Sequence, residues 1–147
     1  MKWVTRARPK TDRIACPWLI RRFIDPNAEF LYVPPDQVLR TAGAQGARSF
    51  DAPEAEFTHR AGKCTFEVLI DDFELGDNAA LARLAQIVHA ADIHSDLHTD
   101  PAGPGLLAIG VGGLDAETDD YRLLERAEFV YDALYAWCAR EVATQPA

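Results

Sequence analysis

Every extended, β-type run in this chain falls within its first sixty residues, and everything from Thr65 onward is patterned for helices. Glu29–Val33, EFLYV, is aromatic and β-branched and is closed by Pro34-Pro35, so it reads as a strand. Trp3–Thr5 reads as a short strand, and 48–51 and 56–60 as two more, separated by Pro53. Two short helices are expected between them: one after Pro17, stopped by Asp25-Pro26, and one over 37–42, capped by Asp36 and closed by Gly43. Beyond Thr65, the expected N-cap, Phe66, Leu69, Ile70 and Phe73 recur at helical spacing. Asn78 caps AALARLAQIVHAAD, Leu106–Val111 reads as a short helix ended by Gly112-Gly113, and a last helix runs from Asp119-Asp120 to about Val142. The segments do not alternate regularly enough for a doubly wound sheet. The expected fold is therefore α+β in one domain over residues 1–147, a small N-terminal sheet with short helices followed by a mostly helical C-terminal half.

A net charge of −8 argues against a nucleic-acid-binding surface. No apolar run is long enough to span a membrane. The basic start is unlike a secretory signal, and three cysteines, Cys16, Cys64 and Cys138, make no disulfide framework. A cytoplasmic location with reduced thiols is the expectation. Phe129, Tyr131, Leu134, Tyr135 and Trp137 give the last helix enough aromatic surface for a core contact and for a homodimer contact.

The stretch TDRIACPWLIRRFID, residues 11–25, carries the first candidate chemistry. If Pro17 opens the helix, Cys16 is its N-cap, and the helix dipole favours a catalytic thiolate there. The alternative is a small buried side chain. Arg21 and Arg22, with Arg13 nearby, present guanidinium forks suited to an oxyanion. The alternative for them is pairing with some of the 23 acidic side chains.

The second candidate is a metal site. On the helix 79–92, Leu81, Leu84, Val88 and Ala91 form an apolar face on which Asp92 also falls, with His89 at its edge. A carboxylate in an apolar stripe is costly unless paired or bound to a cation. Upstream, His59, Cys64 and Glu67 line a strand–loop–helix corner. Imidazole and carboxylate suit zinc, manganese or iron, and a thiolate favours zinc. His59, Glu67, His89 and Asp92 are expected to converge on one divalent cation, with Cys64 adjacent. An open position there permits work on a small inorganic oxyanion. His94, Asp96 and His98 would share one side of an extended 92–100, as a surface site or a solvated loop.

The block KWVTRARPKTDRIACPWLIRRFIDPNAEFLYVP, the Phe50-Asp51 pair, His59-x4-CTFEVLI and IVHAAD together resemble the chromate-resistance family known from the C-terminal domain of ChrB. The resemblance covers nearly the whole chain. It implies a cytoplasmic bacterial protein associated with chromate or oxyanion stress, and no established reaction. Longer members of that family add an N-terminal domain resembling a transcriptional regulator; a chain of 147 residues leaves no room for it, so DNA binding is not expected. The matching positions are Asp12, Arg13, Cys16, Arg21, Asp51, His59, Cys64, Glu67, His89 and Asp92, with Asp12 and Asp51 as structural supports behind the ligands. Two other functions fit the same residues: a thiol-based oxyanion enzyme or sensor, with Cys16 reactive and Cys64 resolving, and a non-catalytic partner-binding module.

Overall fold

A computed structural model describes residues 1–144. The first half runs β1 (Lys2–Arg6), α1 (Asp12–Leu19), β2 (Glu29–Val33), α2 (Val38–Gln45) and β3 (Arg48–Ser49). The three strands form one parallel sheet in the order β2-β1-β3, with Trp3 opposite both Phe30 and Arg48. Parallel neighbours need crossover connections, and α1 and α2 supply them. The early segments thus alternate strand and helix more regularly than their lengths predict. The second half is α3 (Thr65–Asp72), α4 (Ala79–Asp92), a 3-10 stretch His94–Thr99, α5 (Gly103–Ala116) and α6 (Asp120–Thr144). The α+β expectation holds.

Trp3, Phe30, Phe50, Phe57 and Phe66 fill the core beside the sheet. Leu81, Leu84 and Val88, the apolar stripe of α4, are fully buried. Asn78 caps α4 by accepting from the Leu81 amide at 3.0 Å. The aromatic residues of α6 divide: Tyr131 is in the core, whereas Phe129 is 75% exposed.

Several local expectations are corrected. Pro17 lies inside α1 and does not start it. A mid-helix proline leaves the carbonyl four residues back without its donor; here the Tyr32 hydroxyl donates to that Arg13 carbonyl at 3.4 Å. Past Leu19 the helix widens into a π-helical turn, Ile20–Ile24, before Asp25 ends it. The second helix closes at Gly46, which takes φ 61°, not at Gly43. Residues 56–60 form no strand; Phe57 makes a single bridge to Phe50. Cys64, not Thr65, is the N-cap of α3. Gly112-Gly113 do not end α5; a Cβ on Gly113 would lie 3.3 Å from the Leu123 side chain, so glycine there serves helix packing. Residues 94–99 are helical and not extended, which breaks the proposed alternation of His94, Asp96 and His98.

Candidate metal centre

The site lies beyond the carboxyl ends of β1 and β3, where open parallel sheets bring loops together. β1 delivers Arg6, and Asp51 follows β3 in a left-handed conformation, φ 49°. Asp12 opens α1 after Thr11, whose φ of 50° is unusual for a β-branched residue. His59 sits just before a turn tied by Arg60 and Lys63, and Asp92 is the last residue of α4.

Asp12 is fully buried and fastens two elements. Its carboxylate oxygens accept the Thr65 amide at 2.7 Å and the Phe66 amide at 3.0 Å, so it caps α3 from a different helix. The Cys16 thiol donates to it at 3.3 Å. Asp51 accepts the Thr65 hydroxyl at 2.8 Å and lies 3.5 Å from Arg6 and 3.6 Å from Arg13. His59 Nε2 faces three carboxylates at once: Asp92 at 3.0 Å, Asp51 at 3.4 Å and Asp12 at 3.5 Å. The two acids read as supports therefore stand in direct contact with His59.

The electrostatics follow from this crowding. Bonds to Asp12 and Asp51 push the His59 imidazole up to about 10. Burial, then the charges of Asp12 and Asp51, push Asp92 up to about 7, against the pull of His59 and Arg13. Burial opposes ionisation of Asp51 as well, but His59, Thr65, Arg6 and Arg13 outweigh it and hold that carboxyl below its ordinary range. Formally, three carboxylates meet three cationic groups.

The expected single convergence becomes two adjacent groups. Asp12, His59 and Asp92 form one, and Cys64, Glu67 and His89 the other; in each, the candidate ligand atoms lie within 4.8 Å of one another. In the second group Glu67 accepts the Cys64 amide at 3.0 Å, closing a capping box on α3, and lies 2.5 Å from His89 Nδ1. The other ring nitrogen, Nε2, is 2.6 Å from Asp96, a residue that sequence spacing had grouped with His94 and His98. His94 and His98 are exposed and join neither group.

Cys16 is not the thiolate that a helix-start position implied. It is fully buried in mid-helix, and burial together with Asp12 raises its thiol well above the ordinary range. Buried Cys64 is raised by the same cause. Native protein treated with iodoacetamide should therefore leave Cys16 unmodified for hours, while urea-unfolded protein alkylates at the rate of a free thiol, as read by peptide mass spectrometry.

The arginines separate. Arg13 stays at the site, 17% exposed. Arg21 donates to the Ala28 carbonyl at 3.3 Å and stacks on Phe30. Arg22 pairs with Asp132 at 2.7 Å, on α6. The expected three-arginine anion site is not formed, because successive residues on a helix point about 100° apart. Arg6, at the carboxyl end of β1, takes the place beside Asp51.

Residues 3–138 match the family described as "ChrB, C-terminal domain". The chain is 37% identical over 139 residues to Protein ChrB of Cupriavidus metallidurans, covering 91% of this chain and 40% of that protein. It thus spans well under half the length of that curated relative. No solved structure matches. Among the described residues no helix is long and apolar enough to cross a membrane. With nearly its whole length matched, the chain belongs to the chromate-resistance family of the ChrB C-terminal domain.

Proposed function

We propose that this domain binds one divalent cation between His59, Asp92 and Asp12, and uses it to bind or act on a small oxyanion during chromate stress. The supporting observation is the placement of His59 Nε2 3.0 Å from Asp92 and 3.5 Å from Asp12. Ligand atoms around a tetrahedral cation with bonds of roughly 2.1 Å stand about 3.4 Å apart, and His59 Nε2 already stands near that distance from both carboxylates. Even with His59, Arg6 and Arg13 beside the three carboxylates, burial and its acidic neighbours push Asp92 up to about 7, so a further positive charge would relieve the crowding. One nitrogen with carboxylate oxygens suits zinc, manganese or iron.

His59 and Asp92 are the reachable ligands: the His59 side chain is 47% exposed and Asp92 16% exposed. Asp12 has one lone-pair direction left after accepting the Thr65 and Phe66 amides and the Cys16 thiol. A cation replaces the His59 proton, adding one positive charge to a site that already holds Arg6 and Arg13. His59, Asp92 and Asp12 would hold the cation, which would supply positive charge for an oxyanion, and the Arg13 guanidinium, 3.6 Å from Asp51, would add its own. The polar cavity over Glu67, His89 and Asp100 belongs to the second group and has no arginine in its lining.

Equilibrium dialysis of chelator-treated protein against zinc and manganese tests this reading. One equivalent should bind to wild type and none to His59→Ala. Because the cation must displace a proton held up to about 10, affinity should rise with pH, close to tenfold per unit between pH 7 and 10. Absence of stoichiometric binding, or full binding by His59→Ala, contradicts it.

A further inference from the structure

His89 on α4 carries a carboxylate on each ring nitrogen. Glu67 Oε1 lies 2.5 Å from Nδ1, and Asp96 Oδ2 lies 2.6 Å from Nε2. A carboxylate only accepts, so both nitrogens bear protons and the ring is an imidazolium. The two partners are not held equally. Glu67 is fixed at the start of α3, where it also accepts the Cys64 amide, and its side chain is 23% exposed. Asp96 is 40% exposed and belongs to the 3-10 stretch His94–Thr99, none of whose residues is fully buried.

That stretch is anchored at both ends. The Ile93 amide before it donates to the His89 carbonyl at 2.8 Å. Behind it, buried Asp100 pairs with Arg83 at 2.6 Å and accepts the Ala102 amide at 2.9 Å. Between the anchors, and among the described residues, the bond from His89 to Asp96 is the only side-chain hydrogen bond that ties the stretch to another element. Gly103 leaves room for the Leu97 carbonyl to close against α5: a Cβ there would stand 2.8 Å from it. A polar cavity of about 360 Å³ adjoins the ring, lined by Glu67, Gln86, His89, Thr99 and Asp100, and Thr99 is the wall that the stretch supplies.

We propose that His94–Thr99 is a strap, fixed at its ends and clasped at its middle by protonated His89, and that loss of one ring proton opens it and withdraws the Thr99 wall of the cavity. A neutral imidazole keeps one N–H and one lone pair. The N–H stays on Nδ1, where Glu67 is fixed. Nε2 then turns its lone pair on the Asp96 carboxylate, and the less firmly held Asp96 moves away. Burial works against the charged ring, but the bonds to Asp96 and Glu67 outweigh it and hold the His89 pKa above the ordinary 6.5. The clasp is therefore closed at pH 6.5 and below, down to the carboxylate range, and is lost as pH rises through the higher value. The other groups nearby do not replace it. Cys64 is a thiol that burial keeps protonated, Lys63 pairs with Asp71, and Asp100 pairs with Arg83. His94 and His98 sit on the strap itself and are exposed. Asp92, the next turn along α4, faces His59.

NMR of metal-free protein with 15N-labelled histidine rings and 13C-labelled leucine methyls, titrated with base from pH 6, tests the strap. The His89 ring should titrate with a midpoint above 6.5, and its neutral form should carry the proton on Nδ1. The methyls of Leu97, half-buried within the strap, should move with the same midpoint. Asp96→Ala should lower the His89 midpoint by roughly 1–2 pH units, the worth of one hydrogen bond to a charged group. It should also leave the Leu97 methyls at their high-pH position already at pH 6. His89→Ala should do the same to Leu97; should that variant not fold, the exposed Asp96→Ala carries the test. The Leu97 transition should survive in Asp92→Asn and in the double variant His94→Gln, His98→Gln. A His89 midpoint at or below 6.5, Leu97 methyls that do not follow it, or a transition lost with Asp92 or with the two exposed histidines overturns the proposal. The protein is metal-free throughout, so no outcome bears on the cation site.

Discussion

Asp12→Ala should lower the stability of the domain by about 3–5 kcal/mol, the largest single effect among the site residues. The substitution strands two buried amides, Thr65 and Phe66, at the start of α3, and each buried unsatisfied donor costs about 1–3 kcal/mol. The Cys16 thiol loses its acceptor as well. For a chain of this length the melting temperature should fall by roughly 10 °C, and the urea midpoint should fall with it. Asp12→Asn keeps one acceptor oxygen and should lose less. A change below about 1 kcal/mol for the alanine variant would mean that α3 is not capped from α1.

Asp92→Asn should act in the opposite direction and stabilise the metal-free protein, by about 1–3 kcal/mol at pH 8. Asp92 is 16% exposed and its pKa rises from the ordinary 3.8 to about 7 on folding. The folded state therefore binds more protons than the unfolded chain between these values, so wild type loses stability as pH rises through this window and bears the whole cost above it. Asparagine cannot titrate. The gain should be absent below about pH 4, grow through pH 4–7 and level off above. The same variant should lose cation binding. Stability and function are thereby set against each other at one residue, as expected where charge is kept in place for chemistry. Urea melts of wild type and variant at pH 4, 6 and 8 check both sign and window. A variant less stable at pH 8 than at pH 4, relative to wild type, contradicts the assignment of Asp92 as a crowded carboxylate.

What could be read in the sequence was local. Asp92 stands out because helical periodicity places it close to the line of Leu81 and Val88, and both of those residues are buried. His59, Cys64 and Glu67 stand out by residue type at a strand–loop–helix corner. The division into two ligand groups was not legible, because it depends on the direction in which α4 presents His89 and Asp92, one toward Glu67 and the other toward His59. Asp12 and Asp51 lie 39 positions apart and meet only because β1 and β3 run parallel and end at the same edge. Pro17 misleads for a related reason: the carbonyl it leaves free is satisfied by Tyr32 on another element, which makes a mid-helix proline tolerable. Arg22 finds its carboxylate 110 residues away. In each case the deciding partner is distant in the chain, and neither periodicity nor spacing carries that information.

Anomalous diffraction at the zinc edge, on crystals of chelator-treated protein reloaded with one equivalent of zinc, tests the cation site most directly. One peak is expected within bonding distance of His59 Nε2 and an Asp92 carboxylate oxygen, with Asp12 alongside. A peak between Cys64, Glu67 and His89 alone, or no peak on the domain, would contradict the proposal that His59 and its carboxylates hold the metal.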